Sequence, residues 1–169
     1  MQITDLKTLD YPPFTDDLEE AKSHLDKYGM ALIKDVLSQE EVEEMDQRLN
    51  EQFMGEEKYQ VGSKIRGDEG FGIESSEEEK VSRLVWNLIN KGDCFLKLID
   101  HPKILPLIQH MIGERVCLCS MGAHMNGSGN ERMALHQDQW PLVPHPMKFP
   151  FMANVCLLYT SPSPRDSFR

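Results

Sequence analysis

The chain has 169 residues and a formal net charge of −10, from 28 acidic against 18 basic side chains. That length suits one domain around one core, and an acidic surface repels phosphate backbones, which argues against nucleic acid as a partner. No apolar run approaches the ~18 residues that span a bilayer, and Met1-Gln2-Ile3-Thr4-Asp5-Leu6 carries neither the basic nor the apolar region of a secretory leader. The expectation is a soluble, cytoplasmic protein with no membrane partner. Cys94, Cys117, Cys119 and Cys156 form no C-x-x-C pair. They read as buried free thiols in a reducing compartment rather than as disulfides or a zinc site.

Residues 1–14 form an irregular lead-in that ends at Tyr11-Pro12-Pro13-Phe14. A first helix is predicted from Asp16 to Tyr28. Asp16 can cap it with Glu19 three residues on; Leu18, Ala21 and Leu25 share one face, and Gly29 stops it. Met30 to Val36 reads as a short strand. Ser38-Gln39-Glu40-Glu41 is a capping box of the S-x-x-E form, opening a second helix. In that helix Val42, Met45, Leu49 and Phe53 recur at spacings of three and four, so this face packs while the acidic face is solvated.

Residues 55–79 are rich in glycine and charge, lack periodicity, and read as a long surface loop. Val81 to Asn90 suits a helix or a strand equally. Cys94 to Ile99 and Lys103 to Ile112 read as short helices parted by His101-Pro102, the second ending at Gly113. From Arg115 the pattern changes. Val116 to Met125 reads as a strand, with Cys117, Cys119, Met121, Ala123 and Met125 alternating onto one face. Asn126-Gly127-Ser128-Gly129-Asn130 reads as a turn, and Met133 to Asp138 as a second strand. Pro141, Pro144, Pro146 and Pro150 mark a loop before a third strand, Phe151 to Leu158. Helices first and strands afterwards, with no internal repeat, imply an α+β fold in which a helical layer covers a β-sandwich or barrel.

The stretch Met133-Ala134-Leu135-His136-Gln137-Asp138-Gln139-Trp140 carries the candidate chemistry. In an extended strand His136 and Asp138 leave the same face. An imidazole and a carboxylate side by side are two of the three ligands of the 2-His-1-carboxylate triad, which holds non-haem Fe(II) and leaves positions open for O2 and a co-substrate. Taken alone, H-x-D is also what a strand end with a surface His and Asp looks like. A hydrolytic zinc site would need a further His or Cys ligand beside the pair.

With these elements in order, the sequence resembles the phytanoyl-CoA dioxygenase family of Fe(II)/2-oxoglutarate oxygenases. The resemblance is carried by "YGMALIKDVLSQEEVEEMDQRL", by "HPKILPLIQHMIGERV", and by the Gly/Asn turn followed by "ALHQDQW" and a Pro-rich loop leading to "NVCLL". It implies a domain over residues 15–158, helical over 15–113 and with the strands of a double-stranded β-helix, or jelly roll, over 115–158. It further implies Fe(II) held by His136 and Asp138, with 2-oxoglutarate as co-substrate, O2 as the second, and a small-molecule or acyl-CoA-type substrate to be hydroxylated. Met121 is the implied co-substrate contact. Related halogenases have a small residue where Asp138 stands, so its presence implies hydroxylation. Gln139 and Trp140 follow the ligands toward the substrate side.

The resemblance stops near Leu158. The family continues to a distal His, the third iron ligand, and to an Arg that pairs with the far carboxylate of 2-oxoglutarate. Here residues 159–169 hold two Ser-Pro pairs that cannot extend a central strand and resemble translated sequencing-adapter sequence. The expectation is an N-terminal piece of a longer oxygenase with a foreign tail, inactive as it stands. His145 in the Pro-rich loop and Arg165 in the tail do not replace the missing groups. The competing reading is a non-catalytic, cupin-like jelly roll that binds a metal or ligand without chemistry.

Overall fold

The computed structural model describes residues 10–66, 81–126, 138 and 149–157. The lead-in ends in a two-residue strand, β1 (Phe14–Thr15), which pairs in parallel with β2 (Leu32–Ile33), Phe14 opposite Leu32. Between them runs α1 (Leu18–Tyr28). Its cap is Asp17 rather than Asp16: the Asp17 carboxylate accepts the Glu20 backbone N–H at 2.8 Å, and only that residue is placed to meet the open first turn. Gly29 closes the helix at φ 71°, a left-handed conformation that a Cβ would oppose, and its N–H donates to the Leu25 carbonyl at 2.9 Å.

The second helix, α2 (Gln39–Lys58), opens with the expected capping box. The Glu41 N–H donates to Ser38 Oγ at 3.2 Å, while the Glu41 carboxylate accepts the Ser38 N–H at 2.8 Å and its hydroxyl at 2.9 Å. The bond from the Ser38 backbone, followed by that from its hydroxyl, holds the Glu41 carboxyl below the ordinary glutamate range. A lowered folded-state pKa adds stability above the unfolded value that is lost as pH falls through the folded one, so acid is expected to loosen this end of α2. Ser38→Ala should cost about 1 kcal/mol in urea unfolding, and because the hydroxyl then no longer favours the charged carboxylate, the stability lost on acidification should shrink.

The apolar face of α2 places Met45, Leu49 and Phe53 against Val85, Leu88, Cys94 and Phe95, and these seven buried residues form the main core. Leu37, Leu98, Met121 and Ala123 pack on its margin. A three-stranded antiparallel sheet lies over that core in the order β3 (Ser63–Arg66), β4 (Val81–Val85), β5 (Ala123–Asn126). Ser63 faces Leu84 across β3–β4, and Val85 faces Ala123 across β4–β5. A 3-10 turn (Leu88–Asn90) and α3 (Asp93–Leu96) follow β4 and bury Leu88, Cys94 and Phe95. The last helix, α4 (Leu105–Ile112), packs on α1, with Ala21, His24, Ile104 and Leu107 buried and a His110–Asp26 pair at 2.8 Å tying the two helices.

The α+β class therefore holds, but several boundaries differ from expectation. The expected loop at 55–79 is partly regular: α2 continues to Lys58 and β3 occupies 63–66. A four-residue strand has no usable periodicity, and its hydrogen bonds come from β4, distant in sequence. Only the end of the expected strand at Val116–Met125 forms. β4 ends at Val85, and beyond it Asn87 takes φ 55°, so the ladder has no partner for residues before Ala123. Cys117 and Cys119 are consequently exposed, as is Cys156, leaving Cys94 as the buried thiol; all four are free. Burial pushes the Cys94 thiol up, with the nearby Glu44 charge adding to it. A thiol reagent at neutral pH should accordingly modify three cysteines quickly and Cys94 only on unfolding.

Residues 151–157 are irregular rather than a strand, and among the described residues they join neither sheet. The jelly roll is not shown: the described strands are two to five residues long, in one two-stranded and one three-stranded sheet. No helix among the described residues is long and apolar enough to cross a membrane.

Candidate metal site

Of the candidate ligand pair, Asp138 is described and His136 lies outside the described residues, as do Gln139, Trp140, His145 and Arg165. Asp138 sits in a turn with its side chain exposed. Its Oδ2 accepts a hydrogen bond from the Nδ2 amide of Asn154, sixteen residues further on. This contact joins the segment of the H-x-D motif to the 149–157 segment. A carboxylate oxygen is a hard donor of the kind that suits a divalent ion such as Fe(II). Among the described residues no group of three or more His, Cys, Asp or Glu side chains is placed to hold a metal.

Met121 is half-buried and packs against the main core, and its carbonyl accepts the Leu88 N–H at 3.0 Å. It thus serves to couple the irregular segment before β5 to the 3-10 turn. Next to it, Gly122 permits a close approach: a Cβ there would stand 3.2 Å from the Val85 carbonyl oxygen and 3.5 Å from the Trp86 ring. Trp86, half exposed, meets His124 of β5 edge-on at 6.2 Å.

On the neighbouring surface a cleft of about 240 Å³ is lined by Glu56, Val61, Leu84, Trp86, Asn87, Asn90 and Lys91. Its wall is held by a Lys91–Glu56 ion pair at 3.2 Å and by Arg48, whose Nε donates to the Lys91 carbonyl at 2.5 Å. Gly92 lets that guanidinium arm lie close, since a Cβ there would be 3.1 Å from Arg48 Cγ.

This cleft is not legible in the sequence, because α2 and the 3-10 turn come together only through contacts between residues far apart in the chain. Asn154 did leave a signal. It is the one polar residue in the apolar run Phe151-Met152-Ala153-Asn154-Val155-Cys156-Leu157-Leu158.

Comparison with known proteins adds a family. The model of the phytanoyl-CoA dioxygenase (PhyH) family matches residues 25–161. A dioxygenase of Aspergillus fumigatus, af480, is 27% identical over 139 residues, covering 82% of this chain and 42% of its own length. The chain thus spans less than half of that relative. No solved structure matches the chain.

Proposed function

The chain belongs to the phytanoyl-CoA dioxygenase family, and from that membership we propose that it carries the first part of the iron site of an Fe(II)/2-oxoglutarate-dependent oxygenase hydroxylating a small molecule. The observation that carries the reading is the H-x-D pair inside the matched residues, with the Asp138 carboxylate exposed and oriented by an amide. His136 and Asp138 would hold the metal, which together with 2-oxoglutarate supplies the O2 activation that unactivated C–H bonds require. Asp138 contributes a negative charge and a fixed oxygen donor. His136 contributes a neutral nitrogen donor. Met121, seated against the core, would offer an apolar wall to the co-substrate, and the strands after Gly113 would form part of a jelly roll. The dioxygenase name of the fungal relative supports oxygenase chemistry. Free thiols at all four cysteines support a reducing, cytoplasmic setting.

Anaerobic addition of Fe(II) and then 2-oxoglutarate tests the reading. A visible charge-transfer absorption is expected that needs both components and disappears when His136 and Asp138 are both replaced by alanine. The same absorption from the double variant would remove the assignment.

A further inference from the structure

We infer that the cleft between the end of α2 and the 3-10 turn is a binding site for one uncharged sugar ring. This holds or fails independently of the metal-site reading above. The cleft, about 240 Å³, is smaller than the roughly 300–1,000 Å³ that drug-sized ligands occupy, so it suits a single ring. Three features of its wall run against what stability alone would select. Glu56 stands in the last turn of α2, where the negative end of the helix dipole disfavours a carboxylate, and its side chain is only 12% exposed. Gln52 Nε2 and Lys91 Nζ both donate to its Oε1, at 2.9 and 3.2 Å, and no described residue donates to Oε2. Asn87 takes φ 55°, a left-handed conformation costly for a residue with a Cβ, yet its side chain makes no capping bond to the turn it opens. Trp86 is 49% exposed although its neighbour Val85 is fully buried in the core.

The charges narrow the ligand. Lys91 and Glu56 neutralise each other at 3.2 Å, so the wall offers an anion no net attraction, and a chain of net charge −10 repels one. A cation meets the Lys91 ammonium. What remains is a mixed set of donors and acceptors: the Asn87 and Asn90 amides offer both, Glu56 accepts, and Lys91 has protons beyond the one it shares. Hydroxyl groups also donate and accept, so a small ring that bears several of them satisfies such a set. The Trp86 indole adds the apolar surface on which the C–H face of a sugar ring can lie. Strand β5 holds that indole in place. His124 meets it edge-on at 6.2 Å, and a Cβ at Gly122 would stand 3.5 Å from the ring. A platform fixed before binding loses little freedom when the ligand arrives.

The test is an NMR titration of the full chain, isotopically labelled, with the methyl glycosides of glucose, galactose and mannose. Acetate, inorganic phosphate and adenine serve as the contrasting probes. At least one glycoside should move the Trp86 indole N–H signal and the Asn87 and Asn90 side-chain amide signals to saturation in the millimolar range, while the three contrasting probes leave them in place. Asn90→Ala should weaken that binding about 10-fold with an unchanged thermal midpoint, since its side chain bonds to no described residue. Trp86→Leu should weaken it at least as much, whereas Tyr59→Ala, which removes an aromatic ring 70% exposed and outside the cleft, should bind as the parent does. Signals unmoved by all three glycosides would overturn the inference. So would movement caused by acetate or phosphate instead, which makes the cleft an anion seat at Lys91, or by adenine instead, which makes it a slot for a flat ring. Equal losses in Trp86→Leu and Tyr59→Ala would overturn it too, as the sign of unspecific contact with exposed aromatic rings.

Discussion

Phe95→Ala is expected to destabilise the chain by about 3–5 kcal/mol, the largest stability effect of any single substitution considered. Phe95 is 2% exposed, in the four-residue helix α3, among Met45, Leu49, Phe53, Val85, Leu88 and Cys94. Its ring belongs to a cluster built from α2, the end of β4 and the 3-10 turn. Neither the twenty-residue α2 nor the sheet can move inward to fill the space without breaking its other contacts, so the cavity stays open. Domains of this size hold only about 5–15 kcal/mol in total, which puts the variant near the limit of folding. Leu96, the next residue in the same helix, is 42% exposed, and Leu96→Ala should cost under about 1 kcal/mol. Urea unfolding of the two variants beside the parent measures the contrast; equal losses would mean that α3 does not dock on α2 as described.

Asp138→Ala is expected to weaken Mn(II) or Fe(II) binding by at least about 100-fold, equivalent to about 2.8 kcal/mol. The carboxylate is the only anionic donor of the proposed pair, and replacing it removes both a metal–oxygen bond and the charge that draws the ion in. The same change leaves the Asn154 amide to water, which an exposed group tolerates. Stability should therefore shift by under about 0.5 kcal/mol, and the loss of metal would be a loss of the ligand, not of the fold. Asp46→Ala, which removes one carboxylate from the acidic face of α2, should leave affinity unchanged. Isothermal titration of the three chains decides the matter.

How much of this was legible in the residues depends on the range of the interaction responsible. The α2 capping box at Ser38 and Glu41, the stop at Gly29 and the stripe of Met45, Leu49 and Phe53 are all local, and each was readable from spacing alone. The strand β3 was not, since its hydrogen bonds are made to residues some twenty positions away and its four residues carry no pattern. The alternation after Arg115 suggested a longer strand than forms, because β4 ends at Val85 and its ladder with β5 begins only at Ala123, so residues 116–122 pair with no strand among the described residues. Exposure of Cys117 and Cys119 follows from that same missing partner. At the site, the H-x-D pair announced itself by residue type, while its partner Asn154 required the fold to bring two segments together.

The measurement that bears most directly on the central claim is an NMR titration with small amounts of Mn(II), whose paramagnetism broadens only nearby signals. The amide signals of His136, Gln137, Asp138 and Asn154 are expected to fade first. If those signals stay sharp while Glu40, Glu41, Glu43 and Glu44 on the acidic face of α2 fade instead, the ion is attracted only by surface charge, and the H-x-D pair is not its site.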